Sequence, residues 1–546
     1  MRALIVALAL AGAAFVSGAA HAGGWASSVQ AANQVASTPT PGFGYPDPSG
    51  APTPGTCTSG SMNSNRSESW LAVQPGTENA VGTSKFFFDR YSTFYNFYLG
   101  AYTIKSGRAA GNVMTPGYDC GSTGTQAMPP TWTNVTDPNV DFDTQGRAYE
   151  VTLPFNAYWT NLHPNGAIGA IYSDDLGRSW TVGNGGKYIE LTNNQSSFAF
   201  GNFQDKQWVA VNHVTMSKYR DHVYAAWAVF NGDAVKIHLS VSRDRGATFS
   251  APVTITDPSQ TGPSTTYIYP QVGADGTLWL ALAAFDQASG SVDADIYVTR
   301  STDDAQTFMP WVKVARAHGN PGDFTAGTES FRDGILESFA ASQTYPGQAY
   351  VAYEDWNSAT NQMDVRLSES HDWGIGWSPV ALEDTSAASG TASTDQFQPE
   401  VAAGPGGALG VAFYDRRAVC PAGDPSISLP GAANTCIVTS LQPYRESNGG
   451  APAKIGSNVA ITPAFDPSQP NQTVGGIGQD ACSSHDDPCT GGFLGDYFGL
   501  AVSGKNFYAL NVSTHYPSLV AGDGTQGPVY YQQQLLTSVP RSQFGL

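Results

Sequence analysis

An all-β chain of repeated four-stranded units is the fold class that three observations predict. One eight-residue phrase returns four times, as Ser173-Asp174-Asp175-Leu176-Gly177-Arg178-Ser179-Trp180, Ser242-Arg243-Asp244-Arg245-Gly246-Ala247-Thr248-Phe249, Ser301-Thr302-Asp303-Asp304-Ala305-Gln306-Thr307-Phe308 and Ser370-His371-Asp372-Trp373-Gly374-Ile375-Gly376-Trp377. Short β-branched and aromatic runs separated by Gly and Asp precede each copy, and no long helical periodicity occurs. The serines that open the copies are spaced 69, 59 and 69 residues apart, a period that marks a repeat architecture. Each phrase reads as a turn. The Asp carboxylate accepts from following backbone amides, Gly takes a positive φ, and the closing aromatic anchors the loop.

The elements follow in order. Arg2, the apolar run from Ala3 to Val16 and the small residues ending Ala20-His21-Ala22 make residues 1–22 a signal peptide, too short in its apolar core to span a bilayer. Residues 23–62 are rich in Pro, Gly, Ser and Thr and read as a flexible or extended lead-in. From 63 to 546 each unit offers a first run such as Trp70-Leu71-Ala72-Val73 or Trp208-Val209-Ala210-Val211. A second run such as Val223-Tyr224-Ala225-Ala226-Trp227 or Ala349-Tyr350-Val351-Ala352-Tyr353 follows, and a third leads into the turn phrase. Radial repetition of four short antiparallel strands predicts a β-propeller of seven blades, with six as the alternative.

A formal net charge of −19 with only 13% charged residues speaks against nucleic acid or an anionic membrane as a partner. No later run is long enough to cross a membrane, and a monomer is expected. Six cysteines in an exported chain point to disulfides, with nearest-neighbour pairing Cys57–Cys120, Cys420–Cys436 and Cys482–Cys489 as the simplest of the connectivities that six thiols allow. The loop Asp480-Ala481-Cys482-Ser483-Ser484-His485-Asp486-Asp487-Pro488-Cys489 offers Asp486 and Asp487 to a structural calcium; no cofactor is required.

The repeated phrase resembles the Asp-box, or bacterial neuraminidase repeat, of the sialidase-like propellers. Asp205-Lys206-Gln207-Trp208, Phe413-Tyr414-Asp415-Arg416-Arg417 and Gly495-Asp496-Tyr497-Phe498 resemble stretches of exported bacterial repeat proteins of that superfamily. The resemblance implies that the phrases join third and fourth strands on the face away from substrate, which makes Asp174, Asp175, Asp244, Asp303 and Asp372 turn-formers. Strand direction then places the starts of first strands (Asp205, Lys206, Gln271, Gln398, Glu400, Asp496, Tyr497) on the opposite face. The ends of second strands (Trp227, Asp286, Glu354, Asp355, Tyr414, Asp415, Arg416, Arg417, His515, Tyr516) share that face.

A sialidase resemblance further implies an arginine triad for a substrate carboxylate, a Tyr nucleophile with a Glu base, and an Asp acid. Arg416, Arg417 and Arg332 are the candidate guanidiniums, Tyr414 and Glu354 the nucleophile and base, and Asp205 or Asp415 the acid. Lys206 and Tyr497 are candidate substrate-binding groups. The Phe/Tyr-Arg-Ile/Leu-Pro element of sialidases is absent; Arg90 lies early enough but lacks the proline. The expected function is that of a secreted carbohydrate-active protein, a glycoside hydrolase acting on an extracellular glycan. A polysaccharide lyase using His213, His515, Tyr414, Tyr497 or Arg416 is an alternative, as is a non-catalytic glycan- or protein-binding propeller.

Overall fold

The structure, a computed structural model, describes residues 29–37, 66–87, 97–115, 134–155, 166–192, 203–231, 234–286, 291–319, 337–382, 394–467, 494–520 and 532–546, with short strand segments at 324–326, 329–331, 473–474, 477–478 and 526–529. Seven small antiparallel sheets form a ring, a seven-bladed β-propeller. From the axis outward the first blade runs Arg66–Val73, Ala80–Phe87, Phe97–Lys105 and Arg108–Met114. The second has a split inner strand, Asn134–Thr136 and Asp141–Phe142, before Ala148–Phe155 and Gly166–Ser173. The third to sixth blades begin at Phe203–Val211, Thr265–Val272, Glu337–Ala341 and Gln396–Ala403, and the seventh at Gly499–Val502.

The inner strands of neighbouring blades contact one another and so line the axis. Second strands such as Leu278–Phe285 (LWLALAAF) are apolar on both sides because blades stack face to face. Proline is tolerated on the inner strands (Pro270, Pro399) because these are sheet edges whose axial side forms no ladder.

The seventh blade is closed by a segment from the other end of the chain. Ala32–Val35 pairs antiparallel with Gln533–Pro540, with Ala32 opposite Ser538 and Val35 opposite Leu535. Part of the stretch expected as a lead-in is thus the outermost strand of a blade, and the propeller begins before residue 63. The sequence hides it because an added edge strand is held mainly by backbone bonds and needs no apolar alternation. Gln271 is also displaced from expectation: its strand starts at Thr265, so Gln271 sits near the far end.

The four repeated phrases fold into one turn. In each, the Ser hydroxyl accepts the N–H four residues on: Gly177 at 2.8 Å, Gly246 at 2.8 Å, Ala305 at 3.0 Å and Gly374 at 2.9 Å. Asp175, Asp244, Asp303 and Asp372 accept the N–H of Ser179, Thr248, Thr307 and Gly376 at 2.8–2.9 Å. Trp180 anchors the first copy in the core. All four turns join third to fourth strands, so the bonded acids are turn-formers, and hydrogen bonds hold them ionised by lowering their pKa. Asp175→Ala is expected to lose about 1–2 kcal/mol of stability, read by denaturant unfolding, with activity per folded molecule unchanged.

Cys420 and Cys436 form a disulfide; Cys57, Cys120, Cys482 and Cys489 lie outside the described residues. Glu446 is buried between the fifth and sixth blades beside Ser342 and Tyr350, and burial pushes its pKa up to about 7. A carboxyl raised from 4.5 to about 7 on folding stabilises the protein fully below pH 4.5 and loses that contribution as pH rises through 7. Glu446→Gln is therefore expected to gain roughly 2–3 kcal/mol over wild type at pH 8 and nothing at pH 4, measured by urea titration at both.

Candidate functional site

One backbone device, repeated around the ring, builds the site. The inner strand of four blades carries a bulge with a positive-φ residue: Glu68 (46°), Lys206 (49°), Tyr267 (53°) and Gln398 (46°). Asp137 (56°) occupies the break in the second blade's inner strand, and Gly495 (117°) precedes that of the seventh. A bulge turns its side chain out of the ladder, here toward the axis on the face opposite the repeated turns. At Gly495 only glycine fits, because a Cβ would lie 2.3 Å from the backbone nitrogen of Glu68.

Two residues after each bulge comes a second axial layer. Trp70, Trp208, Tyr269 and Tyr497 meet there, with Trp208 ring centroids 4.6 Å from Trp70, 4.7 Å from Tyr269 and 4.9 Å from Tyr497. Asn139 and Glu400 stand at the same offset in the second and sixth blades. This layer is buried and forms an aromatic floor beneath the bulged residues.

Above the floor the groups are ionic. Lys206 Nζ donates to Asp496 Oδ2 at 2.5 Å and lies 3.9 Å from Asp137 Oδ2, with the Tyr267 ring 5.2 Å away. Burial works against the Lys206 ammonium, yet Asp137 and Asp496 outweigh it and hold its pKa well above the ordinary value. The Lys206 backbone N–H donates to both Asp205 Oδ1 at 2.9 Å and Asp137 Oδ2 at 3.1 Å. Those carboxyl oxygens are separated by no more than the sum of the two contacts. Lys85 pairs with Glu68 at 2.5 Å.

Asp205 is half-buried. Burial, and then the charge of Asp137, push its pKa up to about 7. Burial likewise lifts Glu68 to about 7 against the pull of Lys85. At neutral pH the mouth of the axis therefore holds carboxyl groups able to donate a proton, beside a carboxylate–ammonium network. Opposed environments for neighbouring carboxyls are what acid–base chemistry requires.

Of the groups singled out from sequence, the structure brings Asp205, Lys206 and Asp496 to the axis. Tyr497 is in the floor, its hydroxyl donating to Pro138 O at 3.0 Å. Glu354 is buried, and its Oε1 accepts the N–H of the bulged Gln398. That bond stabilises the sixth blade's bulge as Asp137 and Asp205 do the third's. Tyr414 is packed among Phe397, Phe465 and Phe498, and its hydroxyl accepts from Val512 N–H at 3.1 Å. Burial pushes its pKa up, so it forms no ready phenolate. Asp415 and Arg417 are buried and paired with each other, with Asp415 also accepting from Ser440 at 2.8 Å. Arg416 is buried with its guanidinium 5.6 Å from the Phe397 ring. The Tyr414–Asp415–Arg416–Arg417 group is thus interior packing between blades, because the strand end that looked loop-like is covered.

His213 bonds Gln343 at 2.9 Å beyond the far end of its strand, and His515 faces Asp424 at 3.3 Å. Arg332, Asp486 and Asp487 lie outside the described residues. Among the described residues no group of three or more His, Cys, Asp or Glu side chains is placed to hold a metal ion, and no helix is long and apolar enough to cross a membrane.

Sequence reasoning passed over Glu68, Asp137, Tyr267 and Lys85. A signal was present: Ser67-Glu68-Ser69-Trp70-Leu71-Ala72-Val73 and Asp205-Lys206-Gln207-Trp208-Val209-Ala210-Val211 share the offset of an ionisable residue two places before Trp.

No family model matches the chain, and no curated protein matches it. Solved structures do. A protein of unknown function from Dyadobacter fermentans is 14% identical over 69% of this chain and 94% of its own, with a TM-score of 0.39. The Hadza microbial sialidase is 12% identical over 84% of this chain and 75% of its own, with a TM-score of 0.39. An α-L-arabinofuranosidase of Fusarium graminearum is 12% identical over 75% of this chain and 94% of its own, with a TM-score of 0.37.

Proposed function

We propose that the protein is an exported glycoside hydrolase whose active site is the axial cluster. The observation that carries this reading is the juxtaposition of Asp205 and Asp137 on one backbone N–H, with Asp205 raised to about 7 beside the Lys206 ammonium. Asp205 is the general acid, which protonates the glycosidic oxygen as the bond to the anomeric carbon breaks; a water then adds to that carbon and gives its proton back to the Asp205 carboxylate. The Asp137 carboxyl faces the positive charge that develops on the sugar. Its oxygen is held by the Lys206 amide, and the ammonium balances the cluster when no substrate is present. Lys206 is a positioning residue, fixed between Asp496 and Asp137. The disulfide Cys420–Cys436 suits an oxidising compartment, and the glycan would be met outside the cytoplasm.

Incubating the mature protein with a panel of aryl glycosides and oligosaccharides tests the reading. Release of reducing sugar by wild type, lost in Asp205→Asn and Asp137→Asn, is the expected result. Glycan binding without release would make the propeller a binding module, and an unsaturated product would make it a lyase.

A further inference from the structure

We propose that the axial site accepts a glycan free of acidic groups, a neutral or amino sugar, and excludes sialic and uronic acids. This rests on the hydrolase reading above and names its substrate class. Recognition of a sugar carboxylate calls for an uncommitted cation, above all a bidentate arginine. Both cations described at the axis are committed. Lys206 is held by Asp496 at 2.5 Å with Asp137 at 3.9 Å, and Lys85 by Glu68 at 2.5 Å. Arg66, two residues before the first bulge, is buried and bonded to the Tyr102 hydroxyl. Arg416 and Arg417 are interior.

The balance runs the other way. Asp205, Glu337 and Glu400 add carboxyls that no described cation pairs. Glu400 accepts from Ser338 at 2.8 Å, whereas both Glu337 carboxyl oxygens and the Tyr269 hydroxyl are buried without a hydrogen-bond partner among the described residues. Tyr269 lies within electrostatic reach of Glu337, Glu400 and Asp496, so these unfilled groups border the same cluster. Unfilled carboxyl oxygens beside an unfilled hydroxyl suit sugar hydroxyls or an ammonium as donors. A substrate carboxylate would find each described axial cation already paired and would lie beside Asp137 and Asp496, two carboxyls that share the one Lys206 ammonium.

Matched substrates carrying one aryl leaving group test the proposal: neutral hexosides and pentosides, amino-sugar glycosides, a sialoside and a uronide. Neutral or amino-sugar substrates are expected to turn over at least about 100-fold faster than both acidic ones. Release of sialic or uronic acid at a comparable rate would overturn the inference and leave hydrolysis standing. If nothing turns over, the hydrolase reading falls, and calorimetry with neutral and acidic oligosaccharides reads the inference separately. A preference for the acidic ones would overturn it.

Asp496→Asn gives a positive control, since it releases the Lys206 ammonium. Affinity for free sialic acid, measured by calorimetry on protein with an unchanged circular dichroism spectrum, should rise about 10-fold. No rise would count against the neutralised-lysine argument. Asp137→Asn is the second variant should the first fail to fold.

Discussion

Asparagine in place of Asp205 is expected to lower kcat/KM about 1000-fold while leaving the fold intact, because it removes the partly exposed carboxyl proposed as the proton donor and keeps its shape. Loss of general acid catalysis is worth about 10²–10⁴. The wild-type rate should carry the same group's signature. The proposed acid, Asp205, would act protonated, so kcat/KM should fall as pH rises through about 7, and the variant's residual activity should lack that limb. Stability separates chemistry from unfolding. A carboxyl whose pKa is raised from 3.8 to about 7 by folding stabilises below 3.8 and loses that contribution as pH rises through 7. Asp205→Asn should therefore be at least as stable as wild type at pH 8, read by urea titration. A variant inactive because it has unfolded would fail that check.

The largest stability effect is expected from removing the closing strand. A chain that starts after Ser37 loses Ala32–Val35, with its pairing to Gln533–Pro540. It also loses the Ala36 N–H bond to Gln534 O at 2.8 Å, the Gln534 N–H bond to Ser37 at 2.9 Å and the Thr537–Asn33 bond at 2.7 Å. At about 1 kcal/mol for each ladder or side-chain bond, the deficit is roughly 4–6 kcal/mol, comparable with the whole stability of many domains. The exposed edge at Gln533–Pro540 would also invite intermolecular pairing. Thermal unfolding and light scattering on the truncated chain check both; a melting temperature within a few degrees of the full chain would show that the ring closes without this strand.

What could be read from sequence was the period, and with it the architecture. The Ser-x-Asp phrase is a local hydrogen-bonding unit whose chemistry is complete within eight residues, so Ser173, Asp175 and Trp180 declare their roles without the rest of the fold. Strand direction then set one face of the ring apart, and Asp205, Lys206 and Asp496 lie together on it. Tyr414, Asp415, Arg416 and Arg417 share that edge in sequence but are interior, because whether a strand end is capped by its neighbours is a property of packing between blades. Glu68 and Asp137 were missed for the converse reason. Their approach to Lys206 joins the first three blades with the seventh, and the bulges that turn them inward leave no mark in residue type except the offset before Trp70 and Trp208. The Ala32–Val35 strand was hidden as well, since a backbone-paired edge asks little of its side chains.

The central claim is that glycan chemistry occurs at the bulged residues on the axis. Its most direct test is the crystal structure of Asp205→Asn soaked with the oligosaccharide that wild type cleaves. The sugar is expected at the axial mouth, with its glycosidic oxygen within hydrogen-bond distance of residue 205 and its anomeric carbon facing Asp137. A sugar bound instead at the outer rim of the blades, with the axial cluster unchanged, would contradict the account.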